Sequence, residues 1–202
     1  MDIAKQYYEG LKQAYINNHM SKKWNNFERH IHGASEQDIE ALRTAFPDVP
    51  SSLIELLQLV DGTYFRIYND QKITMYFLGS DLVEYPYYLL SISQMLDQKR
   101  NTMINSWLID YVNRIYGNDI EIDDKITSDG DHLCWLHFSD CMNNGGSSQL
   151  FLDFTPSKKG IKGQVIRYLH DPDELEVIAD SFDDYLKMLI HDDYDFITMD
   201  ID

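Results

Sequence analysis

Apolar residues recur every three or four positions as far as Val60, and beyond Gly62 the recurrence gives way to aromatic and β-branched runs. A helical period followed by a strand period restricts the chain to helices packed beside a sheet. Ile3, Tyr7, Tyr8, Leu11, Ala14 and Tyr15 predict an amphipathic N-terminal helix within residues 1–20, and Trp24, Phe27 and Ile31 repeat the spacing before Gly33. Ser35 to Asp38 reads as a capping box, followed by Ile39, Leu42 and Phe46 on one face and stopped by Pro47. After Pro50, Leu53, Leu56, Leu57 and Val60 point inward, and Gly62 is placed to stop that helix.

Residues 64–68 and 72–78, separated by Asn69, Asp70 and Gln71, predict a hairpin. Residues 85–96 show no decisive period. Met103, Ile104, Trp107, Leu108, Tyr111 and Ile115 predict a helix ending at Gly117. Strands are expected at 133–138, 149–154 and 164–168, with a short one at 175–179. A last helix follows, capped by Ser181 with Asp184 three residues on, and carries Phe182, Tyr185, Leu186 and Leu189 inward. Helices flanking a run of strands define an α+β class. With 202 residues and no repeat or Pro/Gly linker, one domain over 1–202 is expected.

The chain carries 34 acids against 17 Lys and Arg, a formal net charge of −17. Such a surface repels phosphate backbones and anionic membranes and attracts cationic partners, which argues against direct nucleic-acid binding. The excess is uneven: from Arg167 to the C-terminus there are 12 acids and 2 bases, a net of −10. The first fifteen residues contain Asp2, Lys5, Glu9 and Lys12 and show no apolar run of signal or membrane type. A cytoplasmic location is expected, and the two cysteines, Cys134 and Cys141, suit buried free thiols in a reducing compartment.

Catalytic signatures are missing from the sequence: it has no Gly-x-Ser-x-Gly elbow, phosphate loop, dinucleotide fingerprint or His-Glu-x-x-His. His132, Cys134, His137 and Cys141 are zinc-ligand types within ten residues. On a strand, however, His132 and Cys134 face one side and His137 the other. Asp123, Asp124, Asp129 and Asp131 suggest calcium, but with Gly130 as the turn glycine Thr127 and Lys125 fall at ligand positions. His30 and His32, two apart at a helix end, diverge. Neither a metal nor a cofactor is expected, and no catalytic residue is assigned. Trp135 and Phe138 point to opposite faces of their strand, so at least one belongs to the core. Gly145 and Gly146 suit a tight turn, with Asn143 or Asn144 left-handed. Asp153 reads either as a binding carboxylate or as an acceptor stabilising a turn.

The series Gly33-Ala34-Ser35, Asp38-Ile39, Leu42, Val49-Pro50, Leu53 and Leu56-Leu57 through Asp61-Gly62 resembles the N-terminal signature of the SUKH superfamily, the Smi/Knr group. The second half is similar too, in Trp135-Leu136-His137-Phe138, Asn144-Gly145-Gly146, Leu150 to Phe154, Pro156, Gly163 to Ile166, Ser181-Phe182 and Tyr185-Leu186. The chain departs at Ser147-Ser148, where many relatives carry an acid, and in a longer helical segment near 99–117. The resemblance implies a mixed, largely antiparallel sheet flanked by helices, no catalytic machinery, and service as a bacterial immunity protein against a polymorphic toxin. Fungal relatives imply the alternative of a regulatory scaffold. Candidate partner-binding residues are Asp171, Asp173, Glu174 and Glu176 in the acidic stretch, Trp107 in the helical segment, and Asp140 and Asp153. The expected partner is a basic protein toxin, such as a nuclease.

Overall fold

A computed structural model describes residues 2–83, 85–115, 120–143 and 148–198. The N-terminal helix α1 (Ile3–Asn17) begins where the Asp2 carboxylate accepts the Lys5 N–H at 2.7 Å. Tyr7, Tyr8, Leu11, Ala14 and Tyr15 are buried along one side of it, as their spacing predicts. Helix α2 (Ser21–His30) adds Trp24 and Phe27, and α3 (Glu36–Ala45) starts at Ser35, whose hydroxyl accepts the Asp38 N–H. Helix α4 (Ser51–Leu59) gives the core Leu53, Ile54, Leu56 and Leu57.

The stop assigned to Gly62 is corrected here. α4 already yields at Val60, which is extended, whereas Gly62 has φ +88° and a Cβ on it would lie 2.4 Å from the Ser91 nitrogen. The glycine is required by a close backbone approach.

The hairpin consists of β1 (Arg66–Tyr68) and β2 (Gln71–Ile73), with Tyr68 opposite Gln71. Its turn is therefore two residues, Asn69 and Asp70, one fewer than the sequence suggested. Both have positive φ, +47° and +65°, as a type I′ turn requires. The segment without a clear period resolves into β3 (Tyr87–Leu89) and the short helix α5 (Ile92–Met95), joined by a capping box at Ser91.

Helix α6 (Gln98–Val112) is followed by β4 (Glu121–Ile122), a strand with no sequence signal, and a 3-10 turn at Gly130–His132. Then come β5 (Trp135–Cys141), β6 (Ser148–Asp153), β7 (Gln164–Leu169), β8 (Glu174–Ala179) and α7 (Phe182–His191), capped by Ser181. The hairpin is a two-stranded sheet of its own, and the other six described strands form one sheet in the order β3-β5-β6-β7-β8-β4, antiparallel except where β4 runs parallel to β8. The fold is the expected α+β domain with a mixed, largely antiparallel sheet.

Both faces of the sheet are covered, and β5, β6 and β7 are accordingly buried at every position. One face, with Leu136, Phe138, Leu150, Leu152 and Val165, packs into the large core shared with α1 to α5 and α7. The opposite face carries Trp135, Phe151, Ile166, Tyr168, Leu175 and Val177, joined by Leu108 and Val112 of α6. Trp135 and Phe138 are thus both core residues, in different layers. Two flanking segments close the large core: the Tyr7 and Tyr15 hydroxyls donate to the Phe77 and Tyr76 carbonyls at 2.6 and 2.7 Å, and the Tyr194 hydroxyl donates to the Tyr7 carbonyl at 3.2 Å.

Candidate partner-binding surface

Strand β8 presents Leu175 and Val177 to one layer, and the alternation turns Glu174 and Glu176 to the side of Arg167 on β7. Arg167 is buried and makes a two-pronged pair with Asp81, Nε to Oδ1 at 2.7 Å and Nη2 to Oδ2 at 3.0 Å, while Nη2 also reaches Glu174 Oε1 at 2.7 Å. Charge-assisted bonds of this kind are the strong ones. Glu176 lies directly across from Arg167 but carries an excess of negative neighbours. Burial pushes its carboxyl above the usual range, the Asp123 and Glu174 charges push it further, and Arg167 offsets only part of this.

The predicted acidic residues divide into two kinds. Asp171, at the β7–β8 turn beside a cis bond to Pro172, is exposed. Asp173 is occupied internally: it accepts the Tyr111 hydroxyl at 2.9 Å, the Tyr168 hydroxyl at 3.2 Å and His170 Nδ1 at 2.6 Å. Burial alone would raise its carboxyl, but the His170 and Tyr111 hydrogen bonds hold it below the ordinary range. Asp173 therefore ties α6 to β7, and Glu174 neutralises Arg167, so neither is the freely solvated acid that close spacing suggested.

Asp140 and Asp153 are fully buried and closed to a docking partner in this fold. Asp140 Oδ1 lies 2.8 Å from His137 Nε2 and accepts Gln149 Nε2 at 3.2 Å. Asp153 accepts the Thr155 N–H at 2.7 Å and Gln164 Nε2 at 2.9 Å, which selects the turn-stabilising reading, and burial raises its carboxyl. Trp107 is half-buried, its ring centroid 4.6 Å from that of Tyr168 and 5.5 Å from that of Tyr111. The helical segment read as an inserted recognition element thus roofs the second face of the sheet. The helix ends at Val112 and not at Gly117, which leaves Ile115 in the turn beyond it and exposed to solvent; the Met103 and Ile104 side chains and the glycine turn at 145–146 lie outside the described residues.

The possible metal ligands separate. His132 sits in the 3-10 turn, bonded to Asp129, and is off the strand altogether; Cys134 is exposed, contrary to the expectation of a buried thiol; His137 and Cys141 are buried. Among the described residues no three His, Cys, Asp or Glu side chains gather as a metal site would need. In the acidic loop Asp123 accepts the Lys125 N–H and Asp124 pairs with Lys159. His30 Nδ1 lies against the Asn26 carbonyl and His32 Nδ1 against that of Gly33.

Asp81 escaped sequence reasoning and Asp123 was read only as part of a separate acidic loop, since Asp81 reaches Arg167 of β7 and Asp123 comes near Glu176 of β8 through tertiary structure alone. Together these acids can exert long-range attraction on a cationic surface. No helix among the described residues is long and apolar enough to cross a membrane.

Helices on both sides of a six-stranded sheet, with carboxylates gathered beside β8, define a single-domain α+β protein of two packed cores. More particularly, the chain belongs to the SMI1 / KNR4 family (SUKH-1), whose model matches residues 33–188. No curated protein matches the chain. Helices α1 and α2 precede the matched span, and the segment carrying Tyr194, Phe196 and Ile197 follows it.

Proposed function

We propose that this chain is a non-catalytic protein-binding domain that serves as a cytoplasmic immunity protein, neutralising a cognate basic toxin by covering it. The observation that carries the reading is the gathering of Asp81, Glu174 and Glu176 beside Arg167, the one buried Lys or Arg among the described residues, with Asp123 and burial displacing the Glu176 carboxyl upward. Like charges held this close oppose folding, and a sequence retains such a conflict most readily where a partner relieves it. Family membership supports a binding role without deciding the partner. A basic toxin supplies the missing cations, and charge then acts mainly on the rate of encounter.

The test is to examine the neighbouring genes and, where one upstream encodes a large secreted protein with a variable C-terminal domain, to co-express and titrate that domain with this chain. A saturable complex with loss of toxicity is the expected result. Absence of both binding and protection would overturn the immunity reading, and a defined complex with a resident regulatory protein instead would favour the scaffold role of the Smi/Knr type.

A further inference from the structure

A second surface has the opposite character. Between Gly62 and Ser80 the sequence carries one acid, Asp70, and two bases, Arg66 and Lys72, in a chain whose acids outnumber its bases two to one. On the hairpin, Ile67 pairs across from Lys72 and is 67% exposed, Phe65 is 39% exposed, and Lys72 Nζ lies 4.3 Å from the centroid of the Phe65 ring. Phe65 adopts φ +50°, a left-handed conformation disfavoured for a bulky side chain. The backbone is thus held in an unfavourable state at the residue that displays an aromatic ring to solvent.

The ring is not isolated. Phe65 meets Tyr64 at 4.9 Å and Tyr88 at 6.1 Å, and Tyr88 meets Tyr76 at 4.9 Å. Lys23 of α2 reaches to 5.9 Å over Tyr76, and a cleft of about 50 Å³ opens between Lys23, Thr74, Met75, Tyr76 and Tyr88. On the outer side of α2, opposite the buried Trp24 and Phe27, Lys22, Asn25, Asn26 and Arg29 line a shallow groove of about 380 Å³. Lys12, Arg66, Lys125, Lys159, Lys162, Arg167 and Lys187 each pair with a carboxylate. Among the described residues Lys22, Arg29 and Lys72 have no such pair, a state they share with Lys5, Arg43, Arg114 and Lys158 elsewhere; what sets Lys72 apart is its place over the exposed Phe65 ring.

We propose that this aromatic and basic face, from α2 across Tyr76 to the hairpin, docks an acidic segment of a partner protein that carries an apolar side chain. Phe65 and Ile67 supply the apolar anchor, and Lys72 beside Phe65 and Lys23 over Tyr76 supply the charge that selects the segment, with Lys22 and Arg29 adding to the field from the outer side of α2. A longer polyanion such as nucleic acid fits less well, because the overall charge of −17 repels it while a short acidic peptide needs only the local field. The inference is independent of the immunity reading, since it concerns a different surface and a ligand of opposite charge.

The probe is a short fluorescent peptide of alternating Asp, Glu and Leu, titrated by anisotropy against the full chain. Saturable binding is expected, weakened about tenfold or more in Lys72→Glu and in Phe65→Gly. Glycine suits the positive φ, so Phe65→Gly removes the ring without straining the backbone; circular dichroism of each variant checks that the fold persists. Ile67→Ser gives a further change at an exposed position. No binding of the peptide, or equal binding by the wild type and all three variants, would overturn the proposal. Preference for an oligothymidylate over the peptide would also overturn it, and so would self-association that competes with the peptide and is abolished by the same variants.

Discussion

Asp61 and Arg66 form a half-buried pair at 2.7 Å, in which the carboxylate is covered and the guanidinium is partly in water. The other carboxylate oxygen accepts the Ile92 N–H at 3.0 Å, at the start of α5. One side chain therefore holds the hairpin and the helix that follows β3.

Its two bonds make the two partners unequal. Asp61→Ala should cost about 3 kcal/mol, since it leaves the Ile92 N–H and the guanidinium unpaired together. Arg66→Met should cost about 1 kcal/mol, because the Ile92 bond survives. Urea unfolding of both variants measures the difference, and equal losses would disprove the dual role.

Trp107 and Leu108 serve the second core. Leu108→Ala, at a fully buried position, should cost about 3 kcal/mol, and Trp107→Ala, half-buried against Tyr168, about 2 kcal/mol. Neither should slow association with a partner once the folded fraction is accounted for. A variant of Trp107 with wild-type stability and a lost complex would return this residue to the interface.

Within the acidic stretch the consequences diverge by residue. Glu176→Gln should raise stability at neutral pH by about 0.5 kcal/mol, since the charge it removes is opposed by burial, Asp123 and Glu174. Combined with Asp171→Asn it should slow association with a basic toxin severalfold at low salt and much less at high salt, where charges are screened beyond about 8 Å. Asp173→Asn and Glu174→Gln should instead lower stability by weakening the Tyr111–Tyr168–His170 and Arg167 contacts. Thermal melts and stopped-flow rates separate the two pairs, and identical behaviour would refute the division.

The pH dependence carries a sign. Asp61, Asp153 and Glu176 hold their protons above the ordinary range, so between that range and their folded values the native state binds more protons than the unfolded chain. Stability from these groups falls as pH rises through that window. Asp173 is shifted downward, so its contribution is present above the ordinary range and is lost as pH falls through its folded value. The unfolding midpoint should fall as pH rises through the window just above the ordinary carboxylate range, and Glu176→Gln should make that fall smaller. A midpoint rising steadily to neutrality would contradict this assignment.

What the sequence disclosed was what is local. The Ser35 and Ser181 caps depend on a residue three positions away, and the α1 face depends on one period, so both could be read directly. Strand β4 is two residues long and exists only through pairing with β8, beyond any periodicity. The face of α6 announced burial but not the layer it would cover. Asp173 reads as one acid among many until Tyr111, 62 residues away, is found donating to it. Ser148, half of the Ser147-Ser148 departure, is buried at the start of β6, where its hydroxyl meets that of Tyr87 and donates to the Tyr168 carbonyl, partners that lie far away in the sequence.

Gly10 of α1 faces Tyr194 so closely that a Cβ would lie 1.9 Å from the phenol oxygen and 2.6 Å from Cζ. Gly10→Ala ordinarily favours a helix by about 1 kcal/mol, yet here it should destabilise by displacing the ring. In a Tyr194→Ala background the same change should become favourable. A double-mutant cycle reads the reversal as coupling, and additive effects would remove the contact from the fold's energetics.

That contact also separates ancestry from autonomy. The span by which kinship is recognised runs from 33 to 188, whereas Tyr7, Tyr8 and Phe27 before it surround the Phe77 ring, and Tyr194 after it fastens α1 in place. A fragment trimmed to the recognisable span would bare the apolar flank of Phe77 and the side of α4 turned toward α1, an invitation to aggregate. For this member the heritable motif is smaller than the packed core, and gene fusions or truncations drawn at the motif's borders would cut through contacts that close it.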